Sequence, residues 1–78
     1  MMFTVYSKSS CPFCVKVIKA LQLTGISFDV YKLGDDFTRE EFIEKFGKTT
    51  FPRVVLNNEK VIGGCTETVQ YLRENKLL

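Results

Sequence analysis

The run Cys11-Pro12-Phe13-Cys14 lies between a short apolar stretch and a helical pattern, and it limits the possible folds more than any other part of the chain. Proline has no backbone N–H to give, so Pro12 suits the first turn of a helix, where that donor has no intrahelical partner anyway. A helix therefore starts here, and Cys14, Val17, Ile18 and Leu21 recur at the spacing of one apolar face. Gly25 ends it. Ahead of it, Phe3-Thr4-Val5-Tyr6 has the aromatic and β-branched content of a buried strand, and Ser7-Lys8-Ser9-Ser10 is a polar connecting loop. After it, Ile26-Ser27-Phe28-Asp29-Val30-Tyr31 alternates with period two as a second strand. Strand, helix and strand at this spacing imply parallel strands joined by a right-handed crossover.

Asp35-Asp36 marks a turn, and Thr38-Arg39-Glu40-Glu41 fits a capping box. Phe42, Ile43 and Phe46 then line one side of a second helix closed by Gly47, with both phenylalanines read as core. Arg53-Val54-Val55-Leu56 reads as a third strand, Asn57-Asn58 as a tight turn and Lys60-Val61-Ile62 as the hairpin partner. Gly63-Gly64 breaks that strand, and Thr66 is expected to cap a last helix with Val69 and Leu72 as its buried stripe and Leu77 trailing at a frayed end. The expected order is β-α-β-α-β-β-α in one α/β domain spanning residues 1–78.

At 78 residues the core must be small, because a domain of this size buries only about 60% of the surface its unfolded chain exposes. The 45% apolar and 13% aromatic content is enough to fill such a core, which argues against disorder. Net charge is only +2, with lysines scattered among acidic residues, so there is no basic patch for nucleic acid. No apolar run approaches the roughly 20 residues of a membrane span. Met1-Met2-Phe3-Thr4-Val5 also lacks the layout of a signal peptide, so a soluble, cytoplasmic monomer is expected. Three cysteines cannot all pair within the chain, and a four-residue disulfide loop removes little entropy from the unfolded state. A reducing compartment is the better reading than a structural disulfide framework. The absence of histidine removes Ser/His/Asp and Cys/His catalysis together with most metal sites that use imidazole.

Residues three apart on a helix lie about 5–6 Å from one another, within the reach of a disulfide, so Cys11 and Cys14 form a candidate redox pair. Cys11 falls at the N-cap or first turn, where free N–H groups and the positive helix end favour an anion, while Cys14 lies a turn deeper. Cys11 is the expected thiolate, and Lys8 can add a second positive influence. Shifting a thiol from about 8.5 to about 5.5 raises its ionised fraction at neutral pH roughly thirty-fold. With a Brønsted coefficient of about 0.4–0.5, the same shift cuts intrinsic nucleophilicity about twenty-fold. The advantage that survives is as a leaving group, so rapid turnover of a mixed disulfide is expected. Zinc is the rival reading of Cys-x-x-Cys, but the chain offers only Cys65 and carboxylates as further ligands, so no metal is expected. A cluster bridged between subunits is a further alternative.

Thr50-Phe51-Pro52 precedes a strand, where proline must take a terminal or edge position. Proline alone predicts an ordinary trans strand start; a cis bond, which costs about 0.5–1 kcal/mol before proline, would present the Phe51 backbone to an extended ligand. Gly63-Gly64-Cys65-Thr66-Glu67 supplies a glycine break and then a helix N-terminus of the kind that binds carboxylates.

Taken together, Cys11-Pro12-Phe13-Cys14, Thr50-Phe51-Pro52 and Gly63-Gly64-Cys65-Thr66-Glu67 resemble a glutaredoxin of the compact dithiol type, over essentially the whole chain. Phe13 stands where that family usually has tyrosine, Phe51 where it has valine and Glu67 where it has aspartate. The resemblance implies a thioredoxin-like fold, a four-stranded mixed sheet flanked by helices, and glutathione-dependent reduction of protein disulfides and protein–glutathione mixed disulfides. By resemblance Cys11 is the nucleophile and Cys14 the resolving thiol. Lys8 and Phe13 border the glutathione cleft, Phe51 pairs with its cysteine through the backbone, and Pro52 is the cis-proline. Gly64, Cys65, Thr66 and Glu67 form the end that receives the γ-glutamyl group, and Lys48 is a candidate for the glycyl carboxylate. The implied partners are glutathione and disulfide-containing or glutathionylated proteins, with ribonucleotide reductase one candidate. Two alternatives stay open: a redoxin of the same shape recharged by thioredoxin reductase, and a module that holds metal or an iron–sulfur cluster.

Overall fold

A computed structural model describes residues 1–78. Its elements are β1 (Phe3–Ser7), α1 (Pro12–Thr24), β2 (Phe28–Lys32), α2 (Arg39–Phe46), β3 (Arg53–Leu56), β4 (Lys60–Gly63) and α3 (Cys65–Glu74). The strands form one sheet in the order β2-β1-β3-β4. β1 runs parallel to β2 and antiparallel to β3, and β3 is antiparallel to β4 with an irregularity at Val54/Val55. This is the thioredoxin-like mixed sheet expected. No helix is long and apolar enough to cross a membrane.

Alternation along the central strands builds two layers of packing. Phe3 and Val5 of β1, with Val54 and Leu56 of β3, face Val17 and Leu21 of α1 and Cys65 and Leu72 of α3 in one core. Full burial of each large apolar side chain there is worth about 1.5–3 kcal/mol. Tyr6, out of step with Val5, points to the other face and meets the rings of Phe37 and Phe46 edge-on at 5.3 and 4.9 Å. Helix α1 starts at Pro12 and stops at Gly25, whose φ of 73° is the left-handed conformation that glycine adopts without penalty. Asn57 and Asn58 turn the β3–β4 hairpin with φ of 54° and 62°, matching the twist of the strands.

The structure corrects four local expectations. β2 begins at Phe28 rather than Ile26, and most of it is exposed, because it is an edge strand paired only with β1. In α2, the Thr38/Glu41 capping box is present and Phe42 is buried, but Phe46 is half-buried and Ile43 exposed. An eight-residue helix lying over the aromatic face has one side chain per turn to bury. Thr66 does not cap α3: Gly64 is the N-cap and Thr66 lies inside the first turn, with Glu67 accepting from the Gly64 N–H at 2.7 Å. Leu77 is not frayed. Lys76 takes a left-handed φ of 57°, its N–H reaches the Arg73 carbonyl at 3.0 Å, and the Leu77 N–H reaches that of Leu72 at 2.8 Å. That is a Schellman close, and it returns Leu77 to the core.

Candidate active site

Cys11 is the N-cap of α1, with φ −115° and ψ 99°, and its Sγ accepts the backbone N–H of Cys14 at 3.2 Å. The helix start set by Pro12 therefore gives one sulfur a main-chain donor that would otherwise be unpaired. Cys11 and Cys14 are joined as a disulfide with Cα atoms 5.2 Å apart, and both are buried. Phe13, between them, is 58% exposed and free to lie against a bound molecule.

Beside the dithiol is a cleft of about 220 Å³ in which the three motifs meet. Phe13 forms one wall, Phe51 and Pro52 another, and Gly64, Cys65, Thr66 and Glu67 the start of α3. The Phe51–Pro52 bond is cis. The Lys8 ammonium stands over the Phe51 ring, 5.3 Å from its centroid, at the edge of this arrangement. Lys48 is not brought to the cleft; it lines a neighbouring hollow with Thr50 and Phe51. A larger hollow of about 520 Å³, between Tyr6, Tyr31, Phe37 and α2, contains no thiol. The smaller cleft is the candidate site because Phe13, between the two cysteines of the disulfide, is one of its walls.

The amides of Cys65 and Thr66 lie in the first turn of α3, where N–H groups have no intrahelical partner and an anion is favoured. Glu67 folds back onto the Gly64 amide, so its carboxylate serves the loop in this structure. Gly63, with φ 131°, permits this: a Cβ there would sit 2.9 Å from the Glu67 Cβ. Burial pushes the Cys65 thiol up, with Lys16 opposing and Glu67 adding to the shift. Cys65 is thus a neutral thiol at neutral pH, unlike a thiol held at a helix cap.

Sequence reasoning did not single out Arg53 or Phe37. The Arg53 Nε donates to the carbonyls of Thr50 and Pro52 at 3.0 and 3.2 Å, and its guanidinium is a wall of the cleft. Phe37 is buried and stacks on Phe42 and Phe51, which are themselves stacked at 4.1 Å. An aromatic layer thus backs the Phe51 loop. An arginine directly after the X-Pro step was the available signal for the first; Phe37 lies in an irregular segment with no period to mark it.

A redox-active disulfide at a helix N-terminus, facing a cis-proline loop on a thioredoxin-like sheet, defines a thiol–disulfide oxidoreductase. A family model described as Glutaredoxin matches residues 3–61. Glutaredoxin-C6 of Oryza sativa subsp. japonica is 40% identical over 78 residues, covering 95% of this chain and 69% of the relative. Wheat glutaredoxin superposes with a TM-score of 0.78 at 37% identity, over 96% of this chain and 72% of that one. A buckwheat glutaredoxin–glutathione complex superposes with a TM-score of 0.79 at 26% identity, over 96% of this chain and 71% of the other. This chain belongs to the glutaredoxin family.

Proposed function

We propose that this protein uses glutathione to reduce protein–glutathione mixed disulfides and protein disulfides, in a reducing cytosol. The carrying observation is the cleft in which Phe13, Phe51-Pro52 and the start of α3 converge beside the dithiol. The likeness to a glutaredoxin complexed with glutathione supports the choice of ligand. In this reading the γ-glutamyl carboxylate takes the free amides of Cys65 and Thr66. The ligand's cysteine pairs with the Phe51 backbone, its flank lies on Phe13, and Lys8, over the Phe51 ring, adds a positive charge at the edge of the cleft.

Catalysis starts from the dithiol. The Cys11 thiolate attacks the glutathionyl sulfur of a mixed disulfide, forming a Cys11–glutathione disulfide and expelling the protein thiolate, which takes a proton. A second glutathione thiolate attacks the glutathionyl sulfur, releasing glutathione disulfide and the Cys11 thiolate. With a protein disulfide, Cys14 attacks the Cys11 sulfur of the mixed complex, expelling the substrate thiol and closing the Cys11–Cys14 bond that glutathione then reopens.

The test is NADPH oxidation coupled to reduction of a glutathionylated substrate, through glutathione and glutathione reductase or through thioredoxin reductase. Turnover through glutathione is expected; turnover only through thioredoxin reductase overturns the glutathione reading.

A further inference from the structure

We propose that the groove between α1 and α3 docks an acidic amphipathic segment of the protein substrate and so selects which mixed disulfides reach the dithiol. The inference rests on the glutathione reading above and adds the class of protein delivered. Outside their shared core, the two helices leave a groove of about 600 Å³ lined by Ala20, Leu23, Val69 and Leu78 together with Lys16, Lys19 and Arg73. Leu23 is 80% exposed. A single exposed leucine means little, but here it shares one trough with three other apolar side chains and three cations.

The groove adjoins the site already described. A hollow of about 460 Å³ shares Lys16, Val69 and Arg73 with it and ends at Cys65 and Thr66. Those two residues are also walls of the cleft beside the dithiol. Lys19, eight residues beyond Cys11 in sequence, lies about 12 Å along the helix axis at about 1.5 Å per residue. About four extended residues of a substrate, at about 3.3 Å each, bridge that distance.

Charge selects the occupant. The one acidic side chain along these two hollows, Glu74, accepts from the Gln70 amide at 3.1 Å. The hollow beside Tyr6 and Tyr31 has the reverse balance, with Asp36, Glu41 and Glu44 against Lys45. An acidic segment is attracted to the first and repelled from the second. A helix laid between α1 and α3 would place apolar anchors at i, i+3 and i+4 on Leu23 and Val69, with carboxylates on both flanks facing the cations.

The test uses three glutathionylated peptides. Each carries the modified cysteine, a Gly-Ser spacer of about four residues, then an amphipathic segment with a leucine ridge flanked by Glu, Gln or Lys. In the glutathione-coupled assay the Glu peptide is expected to exceed the Gln peptide about three- to tenfold in kcat/KM at low salt, with the Lys peptide lowest. The gap should close at about 0.5 M salt. Lys19→Glu with Arg73→Glu should invert the order, while turnover of the small mixed disulfide of glutathione and mercaptoethanol stays within about twofold of wild type. Equal rates on the three peptides, or a Glu preference that survives the double reversal, overturn the proposal. Failure of the small mixed disulfide as well strikes the glutathione reading instead. In that event, amide shifts on titrating the unmodified Glu peptide decide the groove: perturbation along Lys16–Leu23 and Val69–Arg73 supports it, and its absence there refutes it.

Discussion

The sulfur of Cys11 accepts a hydrogen bond from the main-chain N–H of Cys14 at 3.2 Å. When the disulfide opens, that donor is available to a thiolate at position 11, and a bond to a charged acceptor is roughly twice as strong as a neutral one. Cys14, inside the first turn and buried, has no equivalent donor aimed at its sulfur. The asymmetry supports the proposal that Cys11 is the attacking thiol. Cys11→Ser is expected to abolish all turnover, whereas Cys14→Ser should still reduce glutathione mixed disulfides and lose exchange with protein disulfides. Parallel assays on a glutathionylated peptide and a disulfide-bonded protein check this; equal losses in the two variants contradict the assignment.

Alkaline pH should destabilise the fold in two steps. Burial raises the Cys65 thiol and, separately, the Tyr6 phenol above their ordinary values. An unfolded chain releases these protons near about 8.5 and about 10, while the folded chain still holds them. The unfolded state then binds fewer protons, so stability is intact below about pH 8 and falls as pH rises. Melting of the oxidised protein, in which Cys11 and Cys14 do not titrate, should show the decline. Cys65→Ala should remove its earlier part and Tyr6→Phe its later part; a decline unchanged in both variants rules out this origin.

Legibility followed the locality of the forces. Helix α1 was readable to within a turn at its start and to the residue at its end because Pro12 and Gly25 act through their own backbone constraints. The β3–β4 hairpin was readable because Asn57-Asn58 tolerates left-handed φ. The edge position of β2 is a property of strand order, which period two does not encode, so its start was misplaced. Threonine is a better capping side chain than glycine, yet α3 is capped from below by Glu67, and only the close approach at Gly63 makes that possible. The motifs that form the cleft were all visible as residues. The Arg53 clamp was not, because a charged residue opening a strand looks like solvent-facing surface until the Thr50 and Pro52 carbonyls are placed beside it.

That clamp should matter to binding as much as to folding. Arg53→Ala removes the one Nε–H that the Thr50 and Pro52 carbonyls share, and water can serve both, so a loss of about 1 kcal/mol is expected. The loop carrying Phe51 and Pro52 loses its tie, and KM for glutathione should rise by about 1 kcal/mol, roughly fivefold, with kcat held. Arg53→Lys keeps the charge without the planar fork and should recover only part of the affinity. Thermal denaturation with steady-state kinetics measures both; an unchanged KM in Arg53→Ala removes the loop-positioning role.

The aromatic layer under that loop gives a related expectation. Phe42 is buried and stacked on Phe51 at 4.1 Å, so Phe42→Ala should cost about 3–5 kcal/mol, close to the whole stability of a small domain. Phe42→Leu keeps most of the volume at about 1.5 kcal/mol or less and removes the stack. Denaturant unfolding of the leucine variant, with glutathione kinetics alongside, should show a folded protein with a raised KM. A KM equal to wild type would mean that Phe51 holds its position without the stack.

Gly63 offers the sharpest test of how the α3 end of the cleft is built. Its φ of 131° is a region that side chains avoid, and an added Cβ would meet the Glu67 Cβ at 2.9 Å. Gly63→Ala therefore carries a backbone cost of about 1–3 kcal/mol and a separate clash that pushes Glu67 off the Gly64 amide, where it now bonds at 2.7 Å. Glu67→Ala alone loses that hydrogen bond, about 1 kcal/mol, and leaves the backbone unstrained. In the double variant the contacts to the Glu67 Cγ and Oε1, at 3.0 and 3.2 Å, are gone although the one to Cβ stays, and the lost bond counts once, so the two effects should add to less than their sum by about 1 kcal/mol. Chemical denaturation of the four proteins closes the cycle. Strict additivity would mean that the glycine is required by its backbone alone and that Glu67 is free to move; a deficit ties both residues to one packed turn at the mouth of the site.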